Sequence, residues 1–331
     1  MSVHPRQFIL YTSEMFELVE KRLYPYADDS TLLAVVRKPA DRPAIDSSLS
    51  RNLARIQEWW NHWCMIQNLN KTKAFVVSNS RTVNPHYGDL VLSGVSICAS
   101  PNLDILGLKF DSRLTFIYHV CCIVSHVLQR IGILRLVKHV FVDTSVLRCC
   151  SYAFVLTILE YCSPVWGSAA EYHFQLLERQ VYSVARLFPD QTFLSLCHRR
   201  HVASLCMLYT VTSNSNRCLF SELPSASVRV RNSRVAAAAH PLEFEVTRCR
   251  TSKFARCFLP DLTRVWNDLS YAVFDTATLD GFKGACADAQ SIVGCFHELV
   301  FQFSVAQVLV MLRKQFMNNF VFSLLGLCCR F

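Results

Sequence analysis

The feature that most constrains this chain is a pair of apolar, β-prone runs separated by a polar break within residues 22–36. The break is Asp28-Asp29, and Asp is a good turn former, so the pattern predicts a tight β-hairpin. Two consecutive Asp residues at a bend can both bring carboxylate oxygens to one site. Hard cations such as Mg2+ prefer oxygen ligands. The pair therefore fits either a cation site or an ordinary turn.

The residues after this hairpin alternate between helical and strand patterns. Apolar residues recur every three or four positions from Ile45 to Ile66, which predicts an amphipathic helix whose buried face includes Trp59, Trp60 and Trp63. Further predicted elements are a strand at Lys73–Ser78, a hairpin at Leu90–Cys98 around Ser93-Gly94, and a strand at Leu103–Phe110.

The chain becomes mostly helical after Asp111. Helical spacing and Pro-containing breaks predict helices at Phe116–Val137, Thr144–Tyr161, Glu171–Leu187, Thr192–Val211 and Phe254–Asn267. Leu223–Glu245 is rich in Ser, Arg and Pro, which predicts a loop or a marginal helix.

The net charge of +9 is concentrated in residues 199–264, where 11 basic residues face 4 acidic ones. Such a stretch is typical of a surface for a polyanion, and it is equally typical of a solvated Arg-rich loop.

The chain has 16 cysteines, but Met1–Tyr11 lacks the apolar core of a signal peptide. We therefore expect a reducing compartment, so an intracellular protein of the nucleus or cytoplasm that is not secreted. The closest approach to a zinc site is Cys197, His198, His201 and Cys206. No Cys-x2-Cys pair is present there, so these residues are interpreted as core and rim positions.

The last segment, Ile292–Phe331, is strongly apolar. Its uncharged runs, 299–312 and 315–329, are 14 and 15 residues long, whereas a membrane span needs roughly 18 or more. A membrane helix is thus considered unlikely, and buried or accidentally translated sequence is favoured.

Three short motifs resemble those of reverse transcriptases and occur in the family's order. Tyr26-Ala27-Asp28-Asp29 resembles the Tyr-x-Asp-Asp box, Asn70-Lys71-Thr72-Lys73 resembles the next palm motif, and Ile105-Leu106-Gly107-Leu108 before Asp111 resembles the primer-grip hairpin. The runs at 59–63, 110–116, 159–166 and 176–180 are similar to polyproteins of non-LTR (LINE-type) retrotransposons, in particular the jockey-like group. The resemblance covers residues 5 to about 284, which is the C-terminal part of such an enzyme.

The resemblance implies roles for several of these residues. Asp28 and Asp29 would be catalytic, metal-binding carboxylates for Mg2+ (or Mn2+). Lys71 or Lys73 would act near the leaving pyrophosphate, while Tyr26 and Gly107 would line the nucleotide and primer site. The intact enzyme's partners would be an RNA template, a DNA primer and deoxynucleoside triphosphates.

The family also places another catalytic Asp on an upstream strand, together with fingers that hold template and nucleotide. Nothing between Met1 and Tyr24 offers such an Asp, and Pro5 and Phe8 resemble the last remnant of an earlier family segment. We therefore expect a truncated enzyme that exposes an unpaired strand edge, and whose own enzymatic activity stays open.

The expected fold is α+β, with a partial polymerase palm (antiparallel strands with a packed helix) followed by a helical thumb and a helical C-terminal region. The predicted domains are 1–111 (partial palm), 112–190 (thumb and helical connection), 191–284 (Arg-rich helical region) and 285–331 (apolar tail outside the family pattern).

Three functions remain open: an active polymerase, a non-catalytic nucleic-acid-binding remnant, and a domesticated interaction or membrane protein. The residues predicted to bind nucleic acid are Arg199, Arg200, Arg229, Arg231, Arg234, Arg248, Arg250 and Lys253.

Overall fold

The computed structural model describes residues 12–20, 22–26, 29–78, 90–97, 99–140, 144–188, 193–213, 243–276, 278–288 and 321–330. The chain forms two compact units, Met1–Leu114 with Lys314–Phe331, and Thr115–Arg313. In the described residues the first unit contains all the strands and one long helix, and the second is helical. This mixed content, with small antiparallel sheets, is compatible with the expected α+β class. The four predicted domain ranges stay a prediction.

The predicted hairpin is formed by β1 (Arg22–Tyr26) and β2 (Asp29–Val36). The strands are antiparallel, and their register pairs Arg22 with Leu33 and Tyr26 with Asp29. The connection is therefore two residues long, the length that tight hairpins prefer. The connecting residues, Ala27 and Asp28, lie outside the described part of the chain.

A strand from the apolar tail lies in the middle of the main sheet. This strand, β9 (Val321–Arg330), pairs antiparallel with β2 and with β4 (Lys73–Val77), and its end pairs with β3 (Ile66–Gln67). Strands β2 and β4 are consequently parallel to each other, one strand apart. The tail supplies the second neighbour of β2, and among the described strands β1 remains at the edge of this sheet.

Helix α1 (Arg42–His62) packs against this sheet, as the tryptophan and leucine spacing predicts. Trp59 and Trp60 are buried, while Trp63, one residue beyond the helix, is only partly buried. One face of the helix enters a core shared with the strands, formed among others by Leu32, Ala34, Leu49, Leu53, Ile56, Trp60, Ala74 and Leu92. Burial of this face stabilises both the helix and the strands that it covers.

Two small hairpins complete the first unit. Strands β5 (Val91–Leu92) and β6 (Val95–Ser96) turn at Ser93-Gly94, as predicted. Strands β7 (Asn102–Ile105) and β8 (Leu108–Asp111) form a second hairpin where the hydrophobic pattern predicts one continuous strand. That prediction is wrong because Leu106 and Gly107 both adopt positive φ, 51° and 79°, which reverses the chain in two residues.

The second unit consists of helices that match most of the predicted helical segments. They are α2 (Ile117–Val137), α3 (Thr144–Ser151), α4 (Thr157–Glu160), α5 (Ser163–Trp166), α6 (Glu171–Ala185), α7 (Leu196–Ser213), α8 (Ser252–Ala255), α9 (Phe258–Asn267) and α10 (Leu279–Asp288). A π-helical stretch, Tyr152–Leu156, joins α3 to α4. The largest fully buried side chains of this unit are Trp166, Trp266, Phe116 and Phe282.

Within the described residues, α2 alone is long and apolar enough to cross a membrane. Its buried residues, including Val120, Ile123, Val127 and Ile131, recur every three or four positions, and the helix contacts α6. A helix that packs one face against protein has this periodicity, so its length and composition are weak support for a membrane span.

Candidate functional site

The first candidate site is the end of the main sheet where the Asp-Asp pair lies. Asp29 is the first residue of β2, and it is exposed. Tyr26 is its partner in the β1–β2 register, so the hairpin holds the two residues side by side. Asp28 lies outside the described residues, as does the side chain of Tyr26.

Lys73 lies at the same end of the sheet as Asp29. It is the first residue of β4, and both Lys73 and Thr31 pair with Gly326 of the intervening strand. Two strand spacings separate the backbones of β2 and β4, about 10 Å. Lys71 lies in the turn before β4, where its backbone N–H donates to the Asn68 carbonyl at 3.0 Å. Both lysine side chains are exposed, so their charges are available near the Asp-Asp end.

The strand between these two elements carries no carboxylate. Cys328 lies opposite Asp29, and residues 321–330 contain neither Asp nor Glu. No group of three His, Cys, Asp or Glu that can hold a metal occurs among the residues that the structure describes. Asp29 is the carboxylate of the Asp-Asp pair that the structure describes, and its binding of a cation stays a prediction.

Gly107 lies on a different sheet from Asp29. It occupies the second turn position of the β7–β8 hairpin, which forms a separate two-stranded sheet. The turn is exposed at Gly107, and a cross-strand ion pair between Lys109 Nζ and Asp104 Oδ2, at 3.3 Å, supports it. The positive φ explains why a glycine suits this position, whatever its role.

Two of the predicted nucleic-acid-binding arginines are engaged inside the second unit. The Arg199 side chain is 10% exposed and forms an ion pair with Glu160, which is 3% exposed. The Arg200 guanidinium lies over the Phe174 ring at 4.0 Å from its centroid, and Glu178 lies near enough to act on its charge. Arg199 thus pairs with a carboxylate of the preceding helix α4, and Glu178 of α6 acts on the charge of Arg200.

The remaining basic residues predicted to bind nucleic acid differ in solvent exposure, and three of them lie outside the described part of the chain. Arg248 and Arg250 are exposed in an extended segment before α8, and Lys253 in α8 is partly buried. Arg229, Arg231 and Arg234 lie outside the described residues. Exposed Arg side chains such as those of Arg248 and Arg250 can contact the phosphates of a nucleic acid.

A second cluster of chemically active side chains lies around α7. Cys197 and His201, one helical turn apart, face a cavity, whereas Cys206 is buried and burial raises the pKa of its thiol to about 11. Of the residues considered for zinc, Cys197 is thus exposed and Cys206 is buried. Asp261 of α9 contacts His201, and sequence reasoning missed it because no local pattern links residues so far apart.

Comparison with protein-family models, with curated proteins and with solved structures gives no match. The resemblance to reverse transcriptases therefore rests on the residues of the chain itself.

Proposed function

We propose that this chain carries part of the palm and the thumb of a reverse transcriptase from a non-LTR retrotransposon, and that alone it binds RNA–DNA hybrid without extending a primer. The observation that carries the proposal is the arrangement around Asp29. A two-residue hairpin presents it at a sheet end, α1 packs on the same sheet, and β4 starts with Lys73 at that end. This is the order of elements that the family resemblance implies for residues 22–77.

The lack of polymerase activity follows from the carboxylates available. Two-cation nucleotidyl transfer needs acidic ligands that bridge the ions, and the resemblance implies that one of them comes from another strand. Here the strand that pairs with β2, residues 321–330, contains neither Asp nor Glu. That strand therefore cannot supply the missing carboxylate.

Primer extension tests this part of the proposal. The full chain is incubated with a homopolymer RNA template, a DNA primer and Mg2+ or Mn2+, with Asp28→Asn as the matched variant. We expect no templated incorporation by either protein. Incorporation that Asp28→Asn abolishes would show that the chain is an active polymerase.

A binding titration tests the other part of the proposal, which is that the chain binds RNA–DNA hybrid. Arg248 and Arg250 are exposed in the stretch that holds most of the net charge. Each phosphate contact adds roughly 0.7 to 0.9 to the slope of log affinity against log salt concentration. We expect labelled RNA–DNA hybrid to bind at low salt, and the double variant Arg248→Ala/Arg250→Ala to lower both the affinity and the slope.

The control for this titration removes two arginines from the other unit. Arg51 and Arg55 are exposed on α1 and pair with Glu20 at 3.6 and 3.3 Å, so Arg51→Ala/Arg55→Ala makes the same change in net charge. We expect it to leave the affinity near that of the unchanged chain. Equal losses in both double variants would mean that net charge alone attracts the hybrid, and absence of binding at low salt would remove the claim.

A further inference from the structure

The second unit contains a cavity of about 450 Å³ that the proposed function does not use. Residues of α5, α6, α7 and α9 and of the adjoining turns line it. Its charged and nucleophilic lining residues are Glu171, Glu178, Cys197, Arg200, His201, Arg256 and Asp261. A nucleophile, a base and a carboxylate thus share one cavity.

Three of these side chains form a chain of contacts. Cys197 is the second residue of α7, and its Sγ lies 3.9 Å from His201 Nδ1. The other ring nitrogen of His201, Nε2, lies 3.4 Å from Asp261 Oδ2. The helical spacing of four residues places the thiol and the imidazole on one face, and α9 brings the carboxylate to the far side of the ring.

The charges around Cys197, His201 and Asp261 favour an imidazolium at His201 next to a thiolate at Cys197. The hydrogen bond to Asp261, followed by the contact with Cys197, raises the pKa of His201 to about 9. Its ordinary value is about 6.5, so His201 is protonated at neutral pH and loses its proton only as the pH rises through about 9. The hydrogen bond with His201 in turn lowers the pKa of the Cys197 thiol, and Arg200 acts in the same direction.

The other charged groups around the cavity leave the raised pKa of His201 and the lowered pKa of Cys197 in place. Burial raises the pKa of Glu178, whose carboxylate accepts the Leu196 backbone N–H at 2.9 Å and faces Arg200. Burial, followed by the charges of His201 and Arg199, lowers the pKa of His198 and so disfavours its charged form. Asp261 also lies 3.5 Å from Arg264, and Glu171 and Arg256 lie at the rim with opposite charges. The N-terminal end of α7 adds a partial positive charge near Cys197.

We propose that Cys197 is a site of covalent modification by small-molecule disulfides. The thiolate of Cys197 attacks one sulfur of the disulfide, a new sulfur–sulfur bond forms, and the original one breaks. The second half leaves with the bonding electron pair as a thiolate, which takes its proton from water. His201 and Asp261 are positioning residues here, because they hold the thiol in its reactive form without bonding to the disulfide.

Solvent exposure and neighbouring charges distinguish Cys197 from other cysteines of the protein. Cys197 is exposed, whereas Cys206, Cys257 and Cys286 are buried and burial raises the pKa of their thiols to about 11 or 12. Cys64, Cys121 and Cys149 are also exposed. They serve as controls for access within the same molecule.

The test exposes the full chain to glutathione disulfide at several pH values and measures the mixed disulfide at each cysteine by peptide mass spectrometry. An ordinary thiol gains about tenfold in rate per pH unit below its pKa of about 8.5. We expect Cys197 to react at pH 6 faster than Cys64, Cys121 and Cys149, and its rate to rise less steeply between pH 6 and 8 than theirs. The shallower profile is diagnostic, because a thiolate of low pKa is also a weaker nucleophile.

Two variants connect the reactivity to the geometry. His201→Gln removes the cation but keeps a side chain of similar length, and Asp261→Asn removes the charge that holds the imidazolium. We expect each to steepen the pH dependence at Cys197 and to slow its reaction at pH 6, by about tenfold for every unit by which the pKa of the thiol rises. Circular dichroism checks that α7 persists.

A reaction at Cys197 that is no faster at pH 6 than at the three exposed controls would overturn the proposal. So would an unchanged rate in a folded His201→Gln chain. If both variants lose helical structure, the pH profile of the unchanged chain decides alone. None of these outcomes depends on whether the chain binds nucleic acid.

Discussion

Arg199 and Glu160 form an ion pair that is largely removed from solvent, and the guanidinium also lies 5.2 Å from the centroid of the Tyr152 ring. Such a pair is held by mutual attraction in a region where neither charge is well hydrated. Its partners are 39 positions apart, on helices that no local pattern connects. Counting charges along the sequence therefore overestimates how many arginines face solvent.

The residue-scale prediction is that Arg199→Ala destabilises the second unit by about 3–5 kcal/mol, because it leaves the Glu160 carboxylate buried without its cation. Urea denaturation followed by circular dichroism measures this loss. Arg248→Ala, at an exposed position, should change stability by less than about 0.5 kcal/mol. If Arg199→Ala kept full stability but lost hybrid affinity, Arg199 would be a phosphate ligand after all.

At the scale of elements, local pattern and structure agree where one face of a segment is buried. The tryptophan and leucine spacing predicts α1, and the same reasoning predicts α2, α6 and α7 within a few residues. The hydrophobic pattern alone misses the β7–β8 hairpin because a Leu-Gly turn does not interrupt the hydrophobic run, whereas the resemblance to a primer-grip hairpin implies a hairpin there. Pairing of β9 with β2 and β4 is missed because strand pairing across most of a chain leaves no periodic signal.

The element-scale prediction concerns the backbone of β9. Ser323 pairs with Ala34 on one side and Val76 on the other, so its strand is internal and its N–H belongs to the hydrogen-bonded ladder. We expect Ser323→Pro to destabilise the first unit by roughly 3 kcal/mol, the order of effect that proline has when it removes a backbone donor inside a regular element.

Ser323→Ala is the matched control, because it keeps the N–H and changes the side chain only slightly. Chemical denaturation followed by tryptophan fluorescence measures both variants. Equal stability of the two would mean that β9 does not pair in the sheet centre.

For the whole molecule, the division into two units determines whether unfolding of one unit also unfolds the other. The second unit, Thr115–Arg313, contains its own buried aromatic core, while the first needs residues from the far end of the chain to complete its sheet. The Tyr26–Asp29 motif is visible in the sequence, but the register of β9 is needed to show that the strand paired with β2 is one without Asp or Glu.

The whole-molecule prediction is that a chain ending at Arg313 keeps the helices of the second unit and loses the order of the first. Without β9, both β2 and β4 lose a neighbour, and the unpaired edges and apolar face invite aggregation. We expect most helical circular dichroism and fast Cys197 modification to persist, with increased binding of a hydrophobic dye. Loss of the helical signal together with the sheet would contradict independent units.

The position of β9 also bears on how this protein is made. On the ribosome, β1, β2, α1 and β4 emerge early, but the strand that joins β2 to β4 is synthesised only after the whole helical unit. While residues 115–313 are being synthesised, at about 5–20 residues per second, β2 and β4 each lack the neighbour that β9 later supplies. Chaperone demand during translation should therefore fall on residues 22–77 rather than on β9.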